Sequence, residues 1–170
     1  MLALLERGKR VLKHGLTTAA AGRRTFPNAT LNAIEAAIGD GEKLHGAEVR
    51  LILEPALSLV DAWRGTSHRQ RALLLFARYG IWDTEENCGV LIYINLAGRQ
   101  VEIVADRNVG RRIEAGQWQA ICAMLTAGFT SGAYRDSTLA AIAALNELLR
   151  QHFPAGAARS NELPNAAIVL

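Results

Sequence analysis

Residues Tyr79–Val109 read YGIWDTEENCGVLIYINLAGRQVEIVADRNV. Val90–Leu96 has strand length and is apolar on both faces, which predicts a central strand covered on both sides. Ala97-Gly98 supports a tight hairpin into a second strand, Gln100–Asp106. In a hairpin, the end of the second strand lies beside the start of the first. Asp106 is therefore expected beside Val90, close to Asn87 and Glu86. One sheet end would then gather Asp106 and the loop acids Asp83, Glu85 and Glu86.

Upstream, Glu48–Glu54 alternates. Val49, Leu51 and Leu53 face one way, and Glu48, Arg50, Ile52 and Glu54 face the other. Leu31, Ile34, Ile38 and Leu44 recur at helical spacing. Asn28 or Thr30 is the expected cap of that helix and Gly46 its end. Residues 57–79 read as helical with a break near Gly65-Thr66, and Gly80 as the C-cap. Downstream, Trp118, Ile121, Cys122, Leu125 and Phe129 form one apolar stripe. Leu139, Ile142, Leu145 and Leu149 form the next.

The order α-β-α-β-β-α-α predicts an α/β fold, a three-layer α/β/α sandwich with a small mixed sheet. Residues 1–25 are read as a basic N-terminal helix and linker, 26–153 as the α/β domain and 154–170 as an extended tail. The helix spans 2–14, with Leu5 and Leu12 opposite its basic residues, and 15–28 is the linker stretch.

The chain has 170 residues and a formal charge of +3. Residues 1–28 hold six basic side chains and one acidic (+5), and the rest hold 13 and 15 (−2). The domain proper is near neutral, which argues against the broad basic face of a nucleic-acid binder. No apolar run approaches the roughly 18–20 residues of a membrane span. Arg7, Lys9, Arg10 and Lys13 follow Met1–Leu5 directly, the reverse of a secretory signal, so a soluble cytoplasmic protein is expected. Cys88 and Cys122 show no metal-type spacing and read as reduced thiols. The histidines (His14, His45, His68, His152) are scattered.

The segment from Phe76 through Val109 resembles the core of the TPM domain family, named after thylakoid-lumen, photosystem II repair and acetylcholine-receptor-modulator proteins. The stretches FPNATLNAIEAAI, HGAEVRLILEP, WQAICAMLTAGFTSGAY and HFPAGAARSNELPNAAIVL are similar to its short, unexported bacterial branch, so the resemblance covers residues 26–170. The chain departs from the pattern at Cys88, where members usually carry Asn, and at Gly98, where many carry Asp. Ala105-Asp106-Arg107-Asn108 stands where exported members often have a Gly-rich segment. The resemblance implies an α/β/α sandwich with a site at one sheet end. Some members are acid phosphatases, some bind calcium or magnesium, and others act in assembly or repair of membrane complexes.

Hard cations take carboxylate and carbonyl oxygens. Asp83, Glu85, Glu86 and Asp106 are the candidate metal ligands, for calcium or magnesium, and the bland alternative is a solvated loop with a turn at Asp83 or Thr84. Asp106 and Arg107 are the candidate catalytic pair, with Arg107 suited to a phosphoryl oxygen or to a salt bridge with the loop acids. Glu48, Trp82, Asn87 and Asn108 are candidate lining residues; strand direction decides whether Glu48 reaches the site, and Trp82 suits a pocket wall or a plain rim. The acids beside Cys88 would raise its pKa, which argues against a nucleophile.

Two functions fit these residues. One is a cation-binding accessory or interaction domain, with the basic N-terminal helix or the C-terminal tail docking a protein partner. The other is a metal-assisted phosphomonoester hydrolase. Membrane-surface docking by residues 2–14 is a poorer fit, because Gly8 interrupts a short helix.

Overall fold

The computed structural model describes residues 2–156 and 161–170; Met1 and residues 157–160 of the expected tail lie outside the described residues. Among the described residues, four strands form one sheet: β1 (Glu48–Glu54), β2 (Gly89–Asn95), β3 (Gln100–Ala105) and β4 (Ile168–Val169), in spatial order β3-β2-β1-β4. β1 runs parallel to β2 with Glu48 opposite Gly89, and β3 runs antiparallel to β2 with Ala105 opposite Val90. β4 runs parallel to β1 with Ile168 opposite Ile52. The sheet is mixed and small, as the element order predicts.

The alternation of β1 partitions two cores. Val49, Leu51 and Leu53 pack with Val90, Ile92 and Ile94 under α3 (Asn28–Glu42), α7 (Ala115–Thr130) and α8 (Tyr134–His152). Ile52, Leu91, Tyr93 and Val104 pack on the opposite face against Ala72, Leu75 and Phe76 of α5 (His68–Arg78). Helices therefore cover both faces, and all seven residues of β2 are buried. Both predicted stripes face this core. Ile121, Leu125 and Phe129 of α7 and Ile142, Leu145 and Leu149 of α8 are buried, and Trp118, Cys122 and Leu139 pack partly buried at the margin.

Several local expectations change. Residues 15–28 are not a plain linker, since Ala19–Thr25 forms helix α2, capped by the Thr18 side chain, and delivers Phe26 into the core. The first helix, α1 (Leu2–Leu16), extends past residue 14. Leu5 and Leu12 are exposed, whereas His14 is buried and accepts the Leu57 amide at Nδ1, 3.0 Å. Pro27, rather than Asn28 or Thr30, occupies the N-cap of α3. That helix ends at Glu42, and Leu44 lies beyond it, exposed. The break at Gly65 is real: Gly65 adopts φ 78° and separates α4 (Leu59–Arg64) from α5. A short α6 (Arg107–Gly110) follows β3.

The C-terminal tail contributes to the sheet. Its last residues join the sheet as β4, and the Leu170 amide donates to the Leu53 carbonyl at 3.0 Å. No helix among the described residues is long and apolar enough to cross a membrane.

Candidate functional site

The starts of β1 and β2 and the end of β3 share one sheet edge, because β1 and β2 are parallel and β3 returns antiparallel. The Asp106 amide donates to the Gly89 carbonyl at 2.9 Å, the adjacency the hairpin predicts. The parallel pairing also brings Glu48 to this edge, where its amide donates to the Cys88 carbonyl at 3.2 Å.

The loop between α5 and β2 is held from within. Its tight backbone requires Gly89, because a Cβ there would stand 1.8 Å from the Ile81 carbonyl oxygen. Buried Thr84 accepts the Cys88 amide on Oγ1 at 2.9 Å. Asn87 adopts a left-handed backbone, φ 53°, a conformation asparagine tolerates better than most residues. Its carbonyl accepts the Asn108 amide at 3.2 Å, and Asn108 Nδ2 donates to the Glu86 carbonyl at 3.0 Å. Asn87 and Asn108 thus stitch the loop to α6 through the backbone.

Asp106 is buried, at 8 % exposure. Oδ1 caps α6 by accepting the Arg107 amide at 2.6 Å. Oδ2 is buried and has no hydrogen-bond partner among the described residues. Glu48 is equally buried, and its Oε2 accepts the Leu163 amide at 3.1 Å. Glu162, which sequence reasoning missed, accepts the Glu85 amide on Oε2 at 2.8 Å. The tail reaches this edge because β4 continues the parallel register of β1.

The loop acids take different positions. Asp83, Glu85 and Glu86 are exposed. The Asp83 amide donates to the Gly80 carbonyl at 2.9 Å, the expected turn, and no hydrogen bond among the described residues joins Asp83 to Asp106. Trp82 is exposed, and its indole N–H donates to the Ala77 carbonyl at 3.4 Å, back toward α5. Arg107 is exposed, and no ion pair among the described residues joins it to the loop acids. Among the described residues, no three His, Cys, Asp or Glu side chains converge enough to hold a metal ion by themselves. Cys88 is a buried free thiol whose pKa is pushed up, first by burial, with Glu162 and Glu48 adding to it. This edge gives it no thiolate.

The sequence profile of the TPM domain matches residues 22–148. The chain belongs to the TPM domain family. The match takes in Glu48, the 81–88 loop and Asp106–Asn108, while α1 and the Glu162 segment lie outside it. This TPM domain is similar in structure to the BA42 protein from the psychrophilic bacterium Bizionia argentinensis, solved by NMR. The TM-score is 0.73 at 23 % identity, covering 83 % of this chain and 92 % of that one, a likeness of fold. Among curated proteins, none matches the chain.

A second polar cluster lies at the other sheet end. Arg71 grips the buried Glu54 with Nε at 3.0 Å and Nη2 at 2.6 Å from Oε1. The Tyr93 hydroxyl donates to Glu54 Oε2 at 2.5 Å, and Asn95 Nδ2 donates to that hydroxyl at 3.2 Å. Burial and the glutamate push the Tyr93 pKa upward, so it stays a proton donor. Every member is satisfied within the cluster, which fits a structural lock on the strand ends.

Proposed function

We propose that this TPM domain is a non-catalytic accessory domain that binds calcium or magnesium at its acidic sheet edge. The observation carrying the reading is Asp106 Oδ2, a carboxylate oxygen removed from water with no hydrogen-bond partner among the described residues. An unpaired buried charge is destabilising, and a cation supplies the missing partner. The donors suit a hard ion held by one carboxylate oxygen, backbone carbonyls and water. The Asn87 carbonyl, which accepts the Asn108 amide, has a second lone pair to offer. The donors do not suit a cage of side chains, because no three acidic side chains among the described residues converge on one point. Asp83, Glu85 and Glu86 then act mainly as local negative potential.

The accessory role is supported by exposed apolar residues on two neighbouring helices. Leu5, Leu12 and Leu16 of α1 and Leu59, Val60 and Trp63 of α4 are all exposed. Surfaces of this kind serve protein partners. A pull-down with and without residues 1–25 tests the docking role. Loss of a partner on truncation supports it, and an unchanged partner set removes it.

Phosphomonoester hydrolysis is the second reading, favoured by Arg107, which is exposed one residue from Asp106. Its guanidinium could hold a phosphoryl oxygen. Hydrolysis of p-nitrophenyl phosphate with and without magnesium tests it, using Asp106→Asn as the control. Equal rates for variant and wild type exclude catalysis at this edge.

A further inference from the structure

A cavity of about 700 Å³ opens at the opposite sheet end, between α1, the start of α5 and the β2–β3 hairpin. Its volume falls in the range of small-molecule sites, about 300–1,000 Å³. Cations dominate its walls: Arg7, Lys9, Arg10 and Lys13 come from α1 and Arg69 from α5, against the acids Glu6 and Glu102. Glu6 already pairs with Lys9 at 3.0 Å, and Glu102 stands 3.7 Å from Arg69. Arg10 donates to the Thr66 carbonyl. Arg7 and Lys13 are exposed and make no ion pair among the described residues.

The floor is closely packed. A Cβ on Gly98 would stand 2.4 Å from the His68 ring, so the hairpin approaches α5 only because that position is glycine. His68 is the first residue of α5, and its Nδ1 is buried with no hydrogen-bond partner among the described residues. Ser67 Oγ already caps the Gln70 amide at 3.1 Å, and the helix dipole adds positive potential at this end.

We propose that this cavity binds a small polyanion carrying a phosphate or pyrophosphate group. Arg7 and Lys13 meet its charge, and His68 supplies a proton donor once the anion is present. In the free protein, burial holds the His68 pKa down to about 4, reinforced by Arg10, His14 and Lys13 and opposed by Glu54. Arg69 and Glu102 are the other charged groups lining that end of the cavity. A dianion beside the ring reverses the local field, so binding carries proton uptake at His68. The site is separate from the acidic edge, and α1 lies outside the region matched by the TPM profile.

The test is titration of the full chain with inorganic pyrophosphate and inorganic phosphate, followed by amide and imidazole NMR. Shifts should converge on residues 7–14, 67–69 and 98. The His68 ring should titrate at higher pH when pyrophosphate is saturating. Arg7→Gln/Lys13→Gln, which alters two exposed side chains, should keep the spectrum of the folded chain and weaken binding about tenfold or more. His68→Asn should bind without the pH dependence. Binding that ignores the double variant overturns the proposal, as do shifts that miss Gly98 and His68. Binding to phosphatidylglycerol vesicles without binding to either free anion also overturns it.

Discussion

Asp106 and Gly89 are joined by one backbone hydrogen bond, the Asp106 amide to the Gly89 carbonyl at 2.9 Å. That bond anchors the acidic edge, because it ties the residue after β3 to the first residue of β2. Gly89→Ala should therefore damage fold and site together. The added Cβ meets the Ile81 carbonyl at 1.8 Å, backbone that cannot swing aside. The expected loss is about 1–3 kcal/mol, the range for overpacking. Urea denaturation of variant and wild type measures it. An unchanged midpoint would mean that the loop is looser than its geometry.

The Glu54–Arg71 pair gives a second prediction. Glu54 is 4 % exposed, so Arg71→Met leaves a buried carboxylate without its cation. The expected cost is about 3–5 kcal/mol. The double variant Arg71→Met/Glu54→Gln should recover part of it, since Gln can still accept the Tyr93 proton. Additive losses in the two single variants would contradict the coupling.

Glu42 makes stability depend on pH. Its carboxyl is pushed up to about 7 from the usual 4.5, chiefly by burial, with Glu48 adding to the shift. The folded state holds a proton that the unfolded state has released, so this contribution is full below 4.5 and is lost as pH rises through about 7. His14, His45 and His68 are shifted down by burial and act in the opposite sense, losing stability as pH falls below 6.5. Comparing Glu42→Gln with wild type cancels the histidines. The variant should gain relative stability as pH is raised from 4.5 to 7. A flat difference in thermal midpoint across that window would refute the assignment.

Glu162 fastens the tail to the loop by accepting the Glu85 amide. Glu162→Ala should speed hydrogen exchange at Glu85 while leaving the strand amides of Leu91 and Ile92 protected. Unchanged exchange at Glu85 would mean that the tail does not brace the loop in solution.

Much of this was readable in the residues. The two apolar faces of Val90–Leu96 foretold cover on both sides of the sheet, and the β2–β3 hairpin foretold the nearness of Asp106 and Val90. Both signals are local, and local periodicity is what a single sequence displays. Three features lay beyond it. The helix at Ala19–Thr25 has too few apolar residues to show a period, and its anchor, Phe26, lies just past its end. The contact of Leu163 with Glu48 spans 115 residues, and the strand that enforces it has two residues. The basic cavity depends on how α1 docks through buried His14, which its exposed leucines disguise.

The central claim is tested most directly by titrating the full chain with calcium and magnesium, wild type against Asp106→Asn. Asn keeps an oxygen for the Arg107 amide but loses the anionic partner. In the wild type, NMR shifts should gather at Glu48, Asp83–Cys88, Asp106–Asn108 and Glu162. The thermal midpoint should rise with the ion, by an amount equivalent to about 2.7 kcal/mol at a hundredfold excess over Kd. The variant should show neither change. Equal shifts and equal stabilisation in both proteins would contradict a cation site at Asp106.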